Sequence, residues 1–227
     1  MDTVLIVGIN GAIGNATARF FREQGFHCIG TTSNMQQRDA ASSDLLYLDL
    51  NNQDSIVGLT KKLPSLSGIV FCAGLKPSNN LADTSLSHHQ QMMNMHVTGP
   101  LFVVQSLQKK FKKNGAIVFI SSIAAQKGSY DPSYAIAKSA VIGMTRTLAN
   151  ELSEKKIRVN AIAPGLVKDT PVDKGMTADF RAKHLKQTIL NKLTTAADCA
   201  EAIYFLFSQK QMTGQVVHVN GGQYFGN

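Results

Sequence analysis

Cysteine is scarce in this chain, and what there is forms no pattern. Cys28, Cys72 and Cys199 make no CxxC pair and no cluster at metal-ligand spacing, so they read as reduced core residues of a cytoplasmic protein rather than a disulfide framework. His27, His88, His89, His96, His184 and His218 add no recognisable ligand set. No metal is expected, and His88-His89 reads as exposed helix surface. Long apolar runs are missing too. Val4-Leu5-Ile6-Val7 falls far short of the ~20 residues a membrane helix needs, and Met1-Asp2-Thr3 has no basic leader. Neither a membrane partner nor a secretory address is expected. Low-complexity tracts and tandem repeats are also absent.

Negative charge is in short supply. Lys and Arg number 23 against 15 Asp and Glu, a formal net charge of +8. The lysines are dispersed, with the doublets Lys61-Lys62, Lys109-Lys110, Lys112-Lys113 and Lys155-Lys156 at expected helix ends, where cations complement the helix dipole. That dispersal argues against a nucleic-acid partner and favours small anionic ligands such as phosphates.

What is present is an alternation. At 227 residues the chain fits one large domain. Apolar strand candidates at Thr3–Val7, Cys28–Thr32, Leu45–Leu48, Ile69–Ala73, Ala116–Ile120, Ile157–Ala163 and Gln215–Val219 are separated by helical patterns. Strands alternating with helices imply a mostly parallel sheet covered on both faces. The helical patterns include one from Leu86 to about Lys113, which Gly99-Pro100 kinks or shortens, one from Pro132 to Leu152, and one from Ala196 to Phe207. The stretch 166–193 mixes charged and polar residues with a short helix near Phe180 to Ile189 and reads as a lid over substrate.

The first strand runs into Gly8-Ile9-Asn10-Gly11-Ala12-Ile13-Gly14 and then a helix. That order aims backbone N–H groups and the positive end of a helix at a bound diphosphate. The second strand ends in Thr31, Thr32, Ser33 and Asn34, with no carboxylate to grip the two ribose hydroxyls of NAD(H). These hydroxyls and the nearby Arg38 better suit the extra phosphate of NADP(H). Asp49, after the third strand, either accepts from an adenine amine or holds a turn. Ala73-Gly74, after the fourth, allows the backbone close to a flat cofactor.

The stretch from Ser121 to Gly165 organises the rest. Tyr134 and Lys138 stand four apart, one above the other on a helix, where an ammonium would lower the phenol pKa. Ser122 follows the buried strand at Ala116–Ile120, at the sheet edge where ligands bind in α/β folds. A hydroxyl, a phenol and an ammonium can therefore converge on one reacting group.

In this order the motifs resemble those of the short-chain dehydrogenase/reductase family, and the chain is similar in texture to bacterial 3-oxoacyl-[acyl-carrier-protein] reductases. The resemblance implies a single three-layer α/β Rossmann domain over 1–227 with a seven-stranded sheet, assembled as a homotetramer or homodimer. It implies hydride transfer between NADP(H) and a carbonyl or secondary alcohol, with a 3-oxoacyl thioester on an acyl carrier protein as one substrate. The glycine motif falls on Gly8, Ala12 and Gly14, or with the alternative spacing on Gly8, Gly11 and Gly14. Asp49, Ala73-Gly74, Asn160, Pro164-Gly165 and Thr170 fall on cofactor-contacting positions. The catalytic serine, tyrosine and lysine fall on Ser122, Tyr134 and Lys138, with Ser121 a competitor for the serine. Cys72 replaces an asparagine of the family's Asn-Asn-Ala-Gly turn. His96 stands where the family has a catalytic asparagine, and either carries the same proton relay or disturbs Lys138. The alternative to an enzyme is a dinucleotide-binding regulatory or scaffold subunit.

Overall fold

In the computed structural model, which describes residues 1–37 and 44–226, β-branched and aromatic residues build the strands and every sheet connection is a crossover. Arg38 lies outside the described residues. β1 (Thr3–Val7) is buried along its whole length and pairs on one side with β2 (His27–Thr32) and on the other with β4 (Leu66–Phe71). With β3 (Leu45–Tyr47), β5 (Phe111–Ile120), β6 (Arg158–Pro164) and β7 (Val216–Val219), the sheet has the order β3-β2-β1-β4-β5-β6-β7. All six pairings are parallel. The order reverses at β1, so the carboxyl ends of β1 and β4 diverge into a crevice.

The pleat divides the core into two. Leu5, Val7, Ile69, Phe71, Ile117 and Phe119 face one way, against α2 (Gln53–Lys62), α4 (Gly99–Leu107) and α6 (Pro132–Glu151). Val4, Ile6, Val70, Ala116 and Val118 face the other way, against α1 (Ala12–Glu23) and α9 (Ala196–Ser208). This alternation is the period of two that a strand imposes. On the second face Phe21 meets Phe207 edge to face at 4.9 Å. Cys28 and Cys199 are buried there as free thiols.

Two expectations are corrected. The helix expected from Leu86 to about Lys113 is α3 (Leu86–Met93), a π-helical turn over Asn94–Thr98, and α4. Pro100 has no N–H to return to the carbonyl one α-turn behind it, at His96, and the ladder widens there. The chain then turns after Leu107, and β5 starts at Phe111, which pairs with Leu66. Lys112-Lys113 therefore lie in a strand, where Lys112 Nζ is 2.8 Å from Asp2 Oδ1. The stretch 166–193 holds two short helices, α7 (Pro171–Lys174) and α8 (Ala178–Lys186), and Lys127 of α5 (Ala124–Lys127) reaches it, its Nζ donating to Gln187 Oε1 at 3.2 Å. Among the described residues no helix is long and apolar enough to cross a membrane, and no group of three or more ligating side chains could hold a metal ion.

Candidate active site

The crevice at the carboxyl ends of the strands is a cavity of about 1030 Å³. Its floor is the turn from β1 to α1. Gly8 has φ +83°, and a Cβ there would lie 2.6 Å from the Ala73 nitrogen. A Cβ on Gly14 would lie 2.2 Å from the Gly8 carbonyl oxygen. Both positions therefore need glycine, whereas position 12 accepts alanine as the first residue of α1. Gly11 is the N-cap and supplies no side chain to the first N–H groups of α1, so that positive helix end is left for an anion. Gly8, Gly11, Ala12 and Ile13 line the cavity. Gly14 instead packs beneath the turn, and Asn10 is exposed outside the wall. The small-residue floor and the bare helix end fit a dinucleotide.

Along one side, Ser33 lines the cavity past β2. Thr32 is buried at the end of that strand, where its Oγ1 accepts from the Asn34 N–H at 3.1 Å. Thr31 is turned toward the glycine turn, accepting from the Gly8 N–H at 3.3 Å. Asp49 holds its own turn, with Oδ1 accepting from the Asn51 N–H at 2.9 Å. On the opposite side Ala73 and Gly74 line the wall with Cys72, whose thiol burial pushes up to about 12. Pro164, Gly165 and Thr170 close the far end. Asn160 is not among these wall residues. It is fully buried, donates to the Met212 carbonyl at 2.8 Å and accepts from the Gln215 N–H at 3.0 Å. The expected cofactor-side role of Asn160 is replaced by that of a clamp between β6 and the start of β7.

Tyr134 and Lys138 project from the first two turns of α6 into the same cavity, and Ser122 faces them from the end of β5. Both Ser121 and Ser122 line the cavity, and their hydroxyls have different partners. Ser121 is buried and its hydroxyl donates to the Lys138 carbonyl at 2.9 Å, tying β5 to α6. Ser122 accepts from the Ala124 N–H at 3.1 Å, and its hydroxyl acts on the Tyr134 phenol.

The electrostatics differ from the simple tyrosine–ammonium pair. Lys138 Nζ donates to the Ile120 carbonyl at 2.8 Å and lies 5.6 Å from the Tyr134 ring centroid. Burial pushes its pKa down to about 7. Burial also pushes the Tyr134 phenol up; Ser122 pulls it back, and Asp131 and Tyr130 add to the rise. The expected lowering of Tyr134 by Lys138 is thus corrected. Desolvation is the largest cause for both groups and disfavours the charged form of each.

His96 sits on the π-turn, buried, with its ring edge-on to Tyr134 at 5.7 Å. Its Nε2 is 3.3 Å from both the nitrogen and the carbonyl oxygen of Leu75. Burial, with the Lys138 charge second, holds its pKa well below the usual imidazole value. The ring is neutral near pH 7.

Two residues of this neighbourhood escape the sequence reading. Asp131 is completely buried as the N-cap of α6. His88, expected on the surface, has a side chain only 9% exposed, with Nε2 2.9 Å from Asp131 Oδ2. Asp131-Pro132 is itself a helix-start signal from which the cap could have been read; nothing local marks its distant partner. Leu75, Met95, Tyr130, Met176 and Phe180 give the cavity an apolar patch, beside Lys76, Lys127, Lys183, His184 and Gln187. Tyr130 meets Phe180 edge to face at 6.2 Å.

Comparison with known proteins agrees with this geometry. A family model described as Enoyl-(Acyl carrier protein) reductase matches residues 8–223. The chain is 30% identical to the 3-oxoacyl-[acyl-carrier-protein] reductase FabG of Buchnera aphidicola subsp. Schizaphis graminum, over 98% of this chain and 97% of that one. It is also 30% identical to the 3-oxoacyl-[acyl-carrier-protein] reductase of Bos taurus, over 98% of each. Among solved structures, a short-chain dehydrogenase/reductase (Glucose/ribitol dehydrogenase) from Brucella melitensis superposes with a TM-score of 0.90 at 27% identity, over 99% of this chain and 97% of that one. ElxO with NADP bound superposes with a TM-score of 0.85 at 28% identity, over 98% of each.

Proposed function

The chain belongs to the short-chain dehydrogenase/reductase family, and from that premise we propose that it reduces a carbonyl, with a 3-oxoacyl thioester as the substrate class and NADP(H) as the cofactor. The observation that carries the proposal is the convergence of Ser122, Tyr134 and Lys138 on one cavity whose floor is the glycine turn. Gly8, Gly11, Ala12 and Ile13 would hold the diphosphate. Ser33 stands where the extra phosphate of NADP(H) would come, and Ala73, Gly74, Pro164, Gly165 and Thr170 would flank the nicotinamide. When bound, the reduced nicotinamide supplies the hydride.

The side chains of the protein handle the proton. Tyr134, held protonated near neutral pH by its raised pKa, donates from its hydroxyl to the carbonyl oxygen. Ser122 donates a hydrogen bond to the same oxygen as negative charge develops on it. Lys138, near its own pKa at pH 7, returns a proton toward the phenol and would hold the nicotinamide ribose. His96 is neutral and has both donor and acceptor capacity, so it can keep the relay that the asparagine serves in the family. The apolar patch of the cavity wall suits an acyl chain, and the net charge of +8 suits an acidic carrier protein. A homotetramer or homodimer in the cytoplasm completes the reading.

The test is NADPH consumption, followed by absorbance, over a panel of 3-oxoacyl thioesters and small ketones, with NADH and Tyr134→Phe alongside. Turnover with NADPH that Tyr134→Phe lowers by about 10²–10⁴-fold, with NADPH binding retained, is the expected result. Full turnover in that variant would sink the assignment. His96, in place of asparagine, motivates the second reading, a binding subunit; tight NADPH binding with no turnover across the panel would favour it.

A further inference from the structure

The N-terminus of α6, which carries Tyr134, is fastened by a buried carboxylate that does more than cap a helix. Asp131 Oδ1 accepts from the Tyr134 N–H at 3.0 Å, the ordinary N-cap bond. Its Oδ2 accepts from three further donors. These are the Ser78 N–H at 2.9 Å, the Asn79 N–H at 3.3 Å and His88 Nε2 at 2.9 Å. One side chain therefore joins α6, the loop after β4 and α3. Two neighbouring contacts run parallel to it. The Tyr130 hydroxyl donates to the Pro77 carbonyl at 2.8 Å, and His89 Nδ1 is 3.2 Å from the Ser133 hydroxyl.

Burial alone would push the Asp131 carboxyl up, but the N–H groups of Ser78 and Tyr134, His88 and the Asn79 N–H outweigh it and hold the group below the usual carboxylate range. It is an anion at working pH, so the facing ring nitrogen of His88 carries the proton and donates. A helix cap needs only one oxygen. The second oxygen, with its three donors, is unexplained by capping, and two of those donors belong to the 75–79 loop, whose Leu75, Lys76 and Pro77 line the cavity.

We propose that Asp131, held by His88, is a positioning residue for Tyr134, fixing the first turn of α6 against the 75–79 loop so that the phenol stays beside Ser122. The proposal rests on the reading of Tyr134 as proton donor. A misplacement of about 1 Å at a reacting group can cost about 10²-fold in rate, and removing His88 leaves the Oδ2 side of the clasp to two backbone groups. The effect belongs in kcat, because neither His88 nor Asp131 lines the cavity.

The experiment measures acetoacetyl-coenzyme A reduction by the full chain as wild type, His88→Leu and His88→Gln. Glutamine can place an amide N–H close to the position of Nε2. The expected result is a kcat for His88→Leu lower by about 10–100-fold at unchanged KM for NADPH, with most of the loss restored in His88→Gln. A His88→Leu protein that keeps its kcat and loses only thermal stability overturns the proposal.

If the wild type turns over no substrate, the functional reading fails by itself, and the phenol decides the inference. The ionisation of Tyr134 is read from ultraviolet phenolate absorbance after subtraction of Tyr134→Phe. The groups facing it are Ser122, Lys138, His96, Tyr130 and Asp131. In His88→Leu, which keeps the Asp131 charge, a phenol that leaves Ser122 loses the contact that pulls its pKa down, so the Tyr134 midpoint is expected to rise. An unmoved midpoint overturns the proposal.

Discussion

The imidazole of His96 occupies the space that a methyl group on residue 74 would need: a Cβ built on Gly74 lies 2.9 Å from His96 Cε1. The ring is buried and tethered to Leu75, so it has little room to give. Gly74→Ala is expected to cost about 1–3 kcal/mol, the usual penalty for overpacking. Replacing the ring in the double variant Gly74→Ala/His96→Asn should recover most of that loss. Denaturant titration of the four proteins gives the coupling directly, and additive effects would show that the contact is slack.

His96 also predicts a pH dependence of stability. Its folded pKa lies below its unfolded value of 6.5. The unfolded chain therefore binds the extra proton first, and stability falls as pH drops below 6.5. His96→Asn removes that contribution, so the variant should lose less stability than wild type between pH 7 and pH 5, read as denaturation midpoints at each pH.

Lys138 carries the opposite lesson, that a working group can burden the fold. Its pKa moves from 10.5 to about 7 through burial. The burden is complete below pH 7 and fades as pH rises to 10.5, where the unfolded chain also loses the proton. Lys138→Met should abolish turnover yet be more stable than wild type near pH 6. After allowance for the Ile120 carbonyl left without its donor, the gain is about 3 kcal/mol. The advantage should shrink steadily toward pH 10 in urea titrations.

Ser121 and Ser122 are predicted to fail differently. Ser122→Ala removes the hydroxyl that faces the phenol and should lower kcat by about 10²-fold with little change in midpoint. Ser121→Ala leaves the buried Lys138 carbonyl without its side-chain donor and should cost about 1 kcal/mol while most turnover survives. Steady-state rates and melting curves on the two proteins separate the roles.

Cofactor choice is predicted to turn on the end of β2. Ser33 is exposed and on the cavity wall, so Ser33→Asp places an anion beside the expected extra phosphate. NADPH affinity should fall by at least about tenfold while NADH binding is kept or improved. An unchanged ratio of the two dissociation constants would place the phosphate elsewhere.

The fold was legible in the sequence because its signals are local. Five consecutive buried residues before a glycine turn announce β1, and Tyr134 and Lys138 share a helix face by spacing alone. The errors lie where distant residues decide. His88 looks like surface because its partner is 43 positions away. Asn160 sits in a cofactor-like motif yet is spent on the chain at Met212 and Gln215. Spacing placed a phenol near an ammonium, but not the depth of burial that sets both pKa values. Gly99-Pro100 signalled a break; that the break is a π-turn presenting His96 to the cavity required the packed structure.

The wholly parallel sheet bears on how this chain reaches its structure. With no hairpin among its described strands, each strand waits for a crossover before it finds a neighbour, and β1 at residues 3–7 needs β4 at residues 66–71 to cover its second edge. The same β1 needs α9, which starts only at Ala196, to help shield the face that carries Val4 and Ile6. Such long-range closure slows folding and keeps apolar strands open during synthesis. Refolding from denaturant should therefore be slow and concentration-sensitive, and a chain cut before Ala196 should aggregate rather than fold.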